Sequence, residues 1–124
     1  MTRFLNVSPR LPVEDLNRTI AFYVGVLGFQ AGDPWPEENP TFVLMSRDEV
    51  TLQFYVPEPP TPTGHGTISI EVDDAMAVHA AVKGKVKMLW GPEVYWYGRR
   101  EFSFRDPDGY AVIVSEETEA EADC

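Results

Sequence analysis

The feature that most restricts how this 124-residue chain can fold is an internal echo at an offset of about 60 residues. Val13-Glu14-Asp15 recurs as Val72-Asp73-Asp74, and Val50-Thr51-Leu52 recurs as Tyr110-Ala111-Val112. Both copies of the first motif lead into a helical pattern. The second begins or lies within an apolar run that follows an Arg-Asp turn, Arg47-Asp48-Glu49 in one copy and Arg105-Asp106-Pro107-Asp108-Gly109 in the other. Proline presets φ there, aspartate can bond its own backbone and glycine supplies positive φ, so the second turn is strongly specified.

The intervening residues give the same order of elements twice. Phe4 to Val13 reads as a strand restricted by Pro9 and Pro12, which places it at an edge or crossing point. Asp15 is a helix N-cap, the stripe Leu16, Ile20, Tyr23 and Leu27 has helical spacing, and Gly28 closes the helix. Strands are expected at 29–31, 41–46 and 50–56, with Trp35 in the Pro-rich loop 32–40. The second copy gives a strand at 67–72, a helix at 75–82 after Asp73-Asp74 and a strand at 85–90. A turn at Gly91-Pro92 follows, then the alternating stretch Arg99 to Arg105 and the apolar run Tyr110 to Val114. Residues 1–56 therefore form one βαβββ unit and 67–115 a second. Residues 57–66 hold four prolines and two glycines and form a linker, and 116–124 are an acidic tail expected to be disordered. One such unit cannot cover its own sheet. The expected fold is α+β, with two units building a curved, eight-stranded mixed sheet around a cleft within one structural domain.

Composition narrows the function. The formal net charge of −10 opposes a nucleic-acid footprint, although about half of it sits in the tail. No apolar run reaches the roughly 18 residues of a membrane span, and the first residues lack the apolar stretch of a leader, so a cytoplasmic protein is expected. The single cysteine, Cys124, leaves neither a disulfide framework nor a thiolate metal site.

The two-unit pattern resembles the vicinal oxygen chelate superfamily, which includes glyoxalase I, extradiol dioxygenases, and fosfomycin and bleomycin resistance proteins. The resemblance is carried by Val13-Glu14-Asp15-Leu16, Phe22-Tyr23 and Leu27-Gly28-Phe29. At the back it is carried by Arg100-Glu101-Phe102 and Arg105-Asp106-Pro107-Asp108-Gly109-Tyr110. The metal enzymes of that superfamily carry His or Gln and Glu at positions matched here by Ser8, Gln53, Thr67 and Ile113. Ile113 cannot donate and Gln53 is a weak neutral ligand. His65 in the linker and His79 on the second helix read as solvated or helix-face residues. The resemblance thus implies a protein that uses no metal or other cofactor, closest in pattern to the bleomycin resistance proteins. Such proteins bind and sequester a drug as homodimers, and Ser8-Pro9 falls where their N-terminal arm crosses to the partner subunit. The competing reading is a lyase, isomerase or dioxygenase-type enzyme of the same superfamily with a non-standard site, so whether this chain is an enzyme stays open.

The expected ligand is a bleomycin-like or other aromatic compound, in one form cationic, bound by Phe42, Gln53, Tyr55, Thr67, Glu71, Trp96, Tyr97 and Arg100. Flat faces stack on planar or cationic ligands, and Tyr95-Trp96-Tyr97 is the densest aromatic cluster, fit equally for a ligand, a core or a dimer interface. Trp35 lids the same cleft or anchors its own loop. Period-two alternation places Ser8 with Arg10, Thr51 with Gln53 and Tyr55, and Thr67 with Ser69 and Glu71. Arg10 and Arg100 pair with Glu71 and Glu101 or clamp an anion. No nucleophile triad or phosphate loop is present.

Overall fold

The computed structural model describes residues 1–123; Cys124 lies outside them. The chain divides into two compact units, Met1–Thr63 and Gly64–Cys124, so the division falls inside the expected linker. Each unit builds its own four-stranded mixed sheet.

In the first unit the elements are β1 (Arg10–Pro12), α1 (Leu16–Gly25), β2 (Gln30–Ala31), β3 (Phe42–Arg47) and β4 (Val50–Tyr55). The sheet order is β1-β4-β3-β2, with β1 parallel to β4 and the other pairs antiparallel. The expected first strand shrinks to three residues because proline donates nothing to a ladder. Its flanks still pair: Gln53 N donates to the Pro9 carbonyl and Val13 N to the Tyr55 carbonyl. Before it, Phe4, Leu5 and Val7 are exposed.

Asp15 caps α1 by accepting from Arg18 N at 3.1 Å. The buried stripe is Leu16, Thr19 and Tyr23, continued beyond the helix by Leu27, with Ile20 half-buried. Thr19 is tolerated there because its hydroxyl bonds the Asp15 carbonyl. Gly28, at φ +70°, lets Phe29 N reach back to the Tyr23 carbonyl and end the helix. Tyr23 packs 4.9 Å from Phe54 and edge-on to Phe29, so α1 covers the face of the sheet that carries Val43, Met45, Leu52 and Phe54. The alternate residues of the same strands are left on the other face.

The second unit repeats the order: β5 (Thr67–Glu71), α2 (Ala75–Val82), β6 (Lys87–Tyr95), β7 (Arg99–Arg105) and β8 (Ala111–Glu117). Its sheet order is β5-β8-β7-β6, with β5 parallel to β8. Ile68, Ile70, Phe102, Phe104, Val112 and Val114 are buried, and His79 of α2 packs 5.2 Å from Phe102. The turn between β7 and β8 is held by Asp106, whose Oδ1 accepts from the backbone N–H of Asp108, Gly109 and Tyr110, each at 3.0 Å.

Two expectations fail in this unit. Gly91-Pro92 does not turn the chain; β6 runs through it with register shifts between Met88 and Trp90 and between Trp90 and Glu93. A bulge is where a strand accepts a residue without an N–H beside a glycine at φ +76°. The acidic end also does not detach at Ser115. β8 continues to Glu117, Thr118 N bonds the Gly98 carbonyl, and Asp123 exchanges two hydrogen bonds with the backbone of Val94. The fold is thus α+β with eight strands, divided between two sheets. No helix among the described residues is long and apolar enough to cross a membrane.

Candidate functional site

The sheet face turned away from α1 is built by period-two alternation from Arg10 on β1, Phe42 and Leu44 on β3, and Gln53 and Tyr55 on β4. The register sets Arg10 beside Gln53, which pairs with Leu44, and Phe42 beside Tyr55. Arg10 Nε donates to Gln53 Oε1 at 2.8 Å, and its guanidinium lies 4.9 Å from the Phe42 ring centroid. Trp35 arrives from the loop after β2. Its backbone exchanges two hydrogen bonds with Phe42, each 2.9 Å, which holds a side chain that is 68% exposed beside the strand. Together Arg10, Trp35, Thr41, Phe42, Tyr55 and Val56 line a groove of about 590 Å³. This volume lies within the usual range for small-molecule sites.

The corresponding face of the second unit is chemically different. Ser115 Oγ donates to Glu101 Oε2 at 2.7 Å, and the Tyr97 hydroxyl donates to Glu101 Oε1. Arg99 Nε donates to Ser115 Oγ, while Arg99 Nη2 donates to Glu71 Oε2 at 2.9 Å. The result is one connected chain of polar groups, Tyr97–Glu101–Ser115–Arg99–Glu71, in which Glu101 and Ser115 are buried. The hydrogen bond to Glu71 raises the Arg99 pKa above that of an ordinary guanidinium; partial desolvation works against the rise, and the charges of Glu71, Glu101 and Glu117 add to it. Tyr97 stacks on Tyr95 at 5.8 Å and meets Trp96 edge-on, and the Trp96 side chain is 81% exposed. A groove of about 560 Å³ runs beside Tyr97, Gly98 and Arg99.

Of the residues singled out from sequence, Phe42, Gln53 and Tyr55 come together in the first unit, and Glu71 and Tyr97 join one network in the second. Thr67 lies on the face of β5 that carries Glu71, but at the opposite end of the strand, where it pairs with Ala111 while Glu71 pairs with Ser115. Trp96 sits in the turn between β6 and β7. Arg100 requires a correction. It shares the α2-facing side of β7 with Phe102 and pairs with Glu116 at 3.6 Å, and Glu116 in turn accepts from Ala75 N at the start of α2. Arg99 is the arginine on the other face. The signal was present, since Phe102 and Phe104 alternate with Glu101 and Ser103, and counting back by two from Phe102 puts Arg100 with the core. Ser115 was missed because it follows the apolar run that ends at Val114.

The four positions that the resemblance marks for metal ligands do not form a donor set. The oxygen of Gln53 is taken by a guanidinium, Ile113 is aliphatic, and Ser8 and Thr67 offer only hydroxyls. Among the described residues no three His, Cys, Asp or Glu side chains cluster so as to hold a metal. These residues do not fit the divalent ion of the superfamily's enzymes.

The model of the Glyoxalase/Bleomycin resistance protein/Dioxygenase superfamily matches residues 5–114. No curated protein matches the chain significantly. Among solved structures, a member of the same superfamily from Sphaerobacter thermophilus is 24% identical, with TM-score 0.76, covering 92% of this chain and 98% of its own. TnmS3, an antibiotic binding protein from a Streptomyces species, is 22% identical with TM-score 0.76, covering 95% of this chain and 100% of its own. An integron cassette protein of V. cholerae is 22% identical with TM-score 0.72, covering 97% and 98%. At these identities the likeness is one of fold.

Proposed function

The chain belongs to the Glyoxalase/Bleomycin resistance protein/Dioxygenase superfamily, and from that premise we propose that it binds and sequesters a small aromatic compound without using a metal. The observation that carries this reading is the groove of the first unit, where Trp35, Phe42 and Tyr55 offer aromatic surface around one guanidinium. Aromatic walls with a few fixed polar groups are the usual make-up of a small-molecule site. A structural neighbour that is an antibiotic binding protein supports a drug-like ligand, bleomycin-like or otherwise aromatic. The working assembly in this reading is a homodimer. The exposed apolar residues Phe4, Leu5 and Val7 of the N-terminal arm give a second copy something to cover.

The test is a thermal-shift titration with bleomycin and a panel of aromatic compounds, run in parallel with Zn²⁺, Ni²⁺ and Mn²⁺. A ligand that binds only the native state adds about 2.7 kcal/mol at a hundredfold excess over Kd. Stabilisation by an aromatic compound and by none of the metals is the expected result; stabilisation by a metal alone sinks the metal-free reading.

A second reading, an enzyme of the same superfamily, is favoured by one observation: the buried Glu101 carboxylate is bridged to the half-exposed Tyr97 hydroxyl and to Ser115. A carboxylate in contact with a phenol can hold and return a proton. Mass analysis of a bound compound after incubation separates the two readings, because sequestration returns it unchanged.

A further inference from the structure

We propose that the groove of the first unit takes a planar aromatic carboxylate, gripped by the outward end of the Arg10 guanidinium while its ring lies among Trp35, Phe42 and Tyr55. This rests on the reading that the groove binds an aromatic compound, and adds the sign and geometry of the charge that compound carries.

The guanidinium is the reason. Arg47, Arg99 and Arg100 each meet a carboxylate, from Asp48, Glu71 and Glu116 respectively. Arg10 does not. Among the described residues its partners are the side-chain oxygen of Gln53 and the ring of Phe42, both uncharged. Gln53 engages Nε, the inner nitrogen of the fork, and the ring lies against the guanidinium. The plane is therefore held from two sides, while Nη1 and Nη2 keep their hydrogen-bonding capacity. Those two nitrogens form the end-on fork whose spacing matches the two oxygens of a carboxylate. Gln53, which in the metal enzymes of the superfamily would stand at a ligand position, here orients an arginine.

The surroundings select the same ligand. Among the described residues Arg10 is the only charged side chain lining the groove, and the other five lining residues are Trp35, Thr41, Phe42, Tyr55 and Val56. A cationic aromatic entering it would meet an uncompensated positive charge and no carboxylate. An anionic one gains a charge-assisted pair beside an aromatic wall that limits screening by water. The chain's net charge of −10 opposes any anion at long range. Selectivity for the carboxylate is therefore a short-range property, and affinity rises with ionic strength until the contact pair itself is screened.

The experiment is calorimetric titration of the full chain with three isosteres: naphthoate, naphthylmethanol and naphthylmethylammonium. Naphthoate is expected to bind about tenfold or more tightly than either of the others, the advantage of a two-point charged hydrogen bond. Arg10→Gln is expected to bring naphthoate down to the affinity of the alcohol, and Arg10→Lys to recover only part, since it restores charge without the fork. Arg10 lies on the exposed surface, and circular dichroism with a thermal midpoint verifies that the variants remain folded. Equal affinity for the three compounds, or preference for the ammonium, overturns the carboxylate while leaving an aromatic groove. A naphthoate preference that survives in Arg10→Gln overturns the role of Arg10. Binding of none of them up to millimolar concentration overturns both the carboxylate and the groove.

Discussion

The Ser115 hydroxyl donates to the Glu101 carboxylate at 2.7 Å across the β7–β8 ladder, in which the two residues are direct cross-strand partners. Ser115 also accepts from Arg99, so one small hydroxyl joins a buried acid to a partly exposed base. Ser115→Ala removes both contacts and leaves a buried carboxylate oxygen without that donor. A loss of about 1–3 kcal/mol is expected in urea unfolding. Ser103, the next inward residue but one along the same face of β7, is the control. Its Oγ is buried without a hydrogen-bond partner among the described residues, so Ser103→Ala should be neutral or stabilising.

Asp106 is buried and satisfies three successive backbone N–H groups with one oxygen. Asp106→Ala leaves all three without that acceptor in a turn that cannot rotate away from the strands it joins. We expect a loss of about 2–4 kcal/mol by chemical denaturation, larger than that of Ser115→Ala. Asp106→Asn keeps an oxygen acceptor and should recover at least half of it.

Two glycines should respond in opposite directions. Gly25 ends α1, and a methyl group added there meets nothing within 4 Å. Gly25→Ala is expected to stabilise the chain by up to about 1 kcal/mol through helix propensity and a less flexible unfolded state. At Gly91 the added carbon would stand 2.3 Å from the Glu101 carbonyl oxygen, at a φ of +76° that alanine rarely adopts. Gly91→Ala should cost about 2 kcal/mol or more, read from the shift in thermal midpoint.

The raised pKa of Arg99 fixes a pH dependence by its sign. A cation whose folded-state pKa is raised contributes stability that is fully present below the unfolded value and lost only as pH climbs through the higher folded one. Across roughly pH 6 to 9 its contribution is therefore flat. The stability difference between the wild-type chain and Arg99→Met should be the same at both ends of that interval. A difference that grew towards pH 9 would contradict the pairing with Glu71.

Much of this architecture was legible because it is local. The caps at Asp15 and Asp74, the helix end at Gly28 and the Asp106 turn each follow from a side chain acting within a few residues of itself. The repeated order of elements was legible because the echo is long. The β6 bulge was not, because Gly91-Pro92 in isolation carries the chemistry of a turn and only pairing with β7 shows that the strand continues. The acidic end was misread for a related reason. Composition sees unpaired negative charge, whereas the two hydrogen bonds between Asp123 and Val94 depend on a distant strand. At the candidate site, Phe42, Gln53 and Tyr55 follow from alternation. The substitution of Arg99 for Arg100 turns on a one-residue phase that decides which face of a strand a side chain occupies.

Each four-stranded sheet takes all its strands from one contiguous half of the chain, and each keeps its core on the helix side. The opposite faces differ on the same scaffold, one carrying aromatic rings beside the Arg10 guanidinium and the other a connected acid, hydroxyl and guanidinium. Each face can be rewritten on that pattern one half at a time. Grafting a new set of alternate residues onto β3 and β4 leaves every backbone rung of the second sheet intact, so the tandem repeat works as a pair of separately editable cassettes.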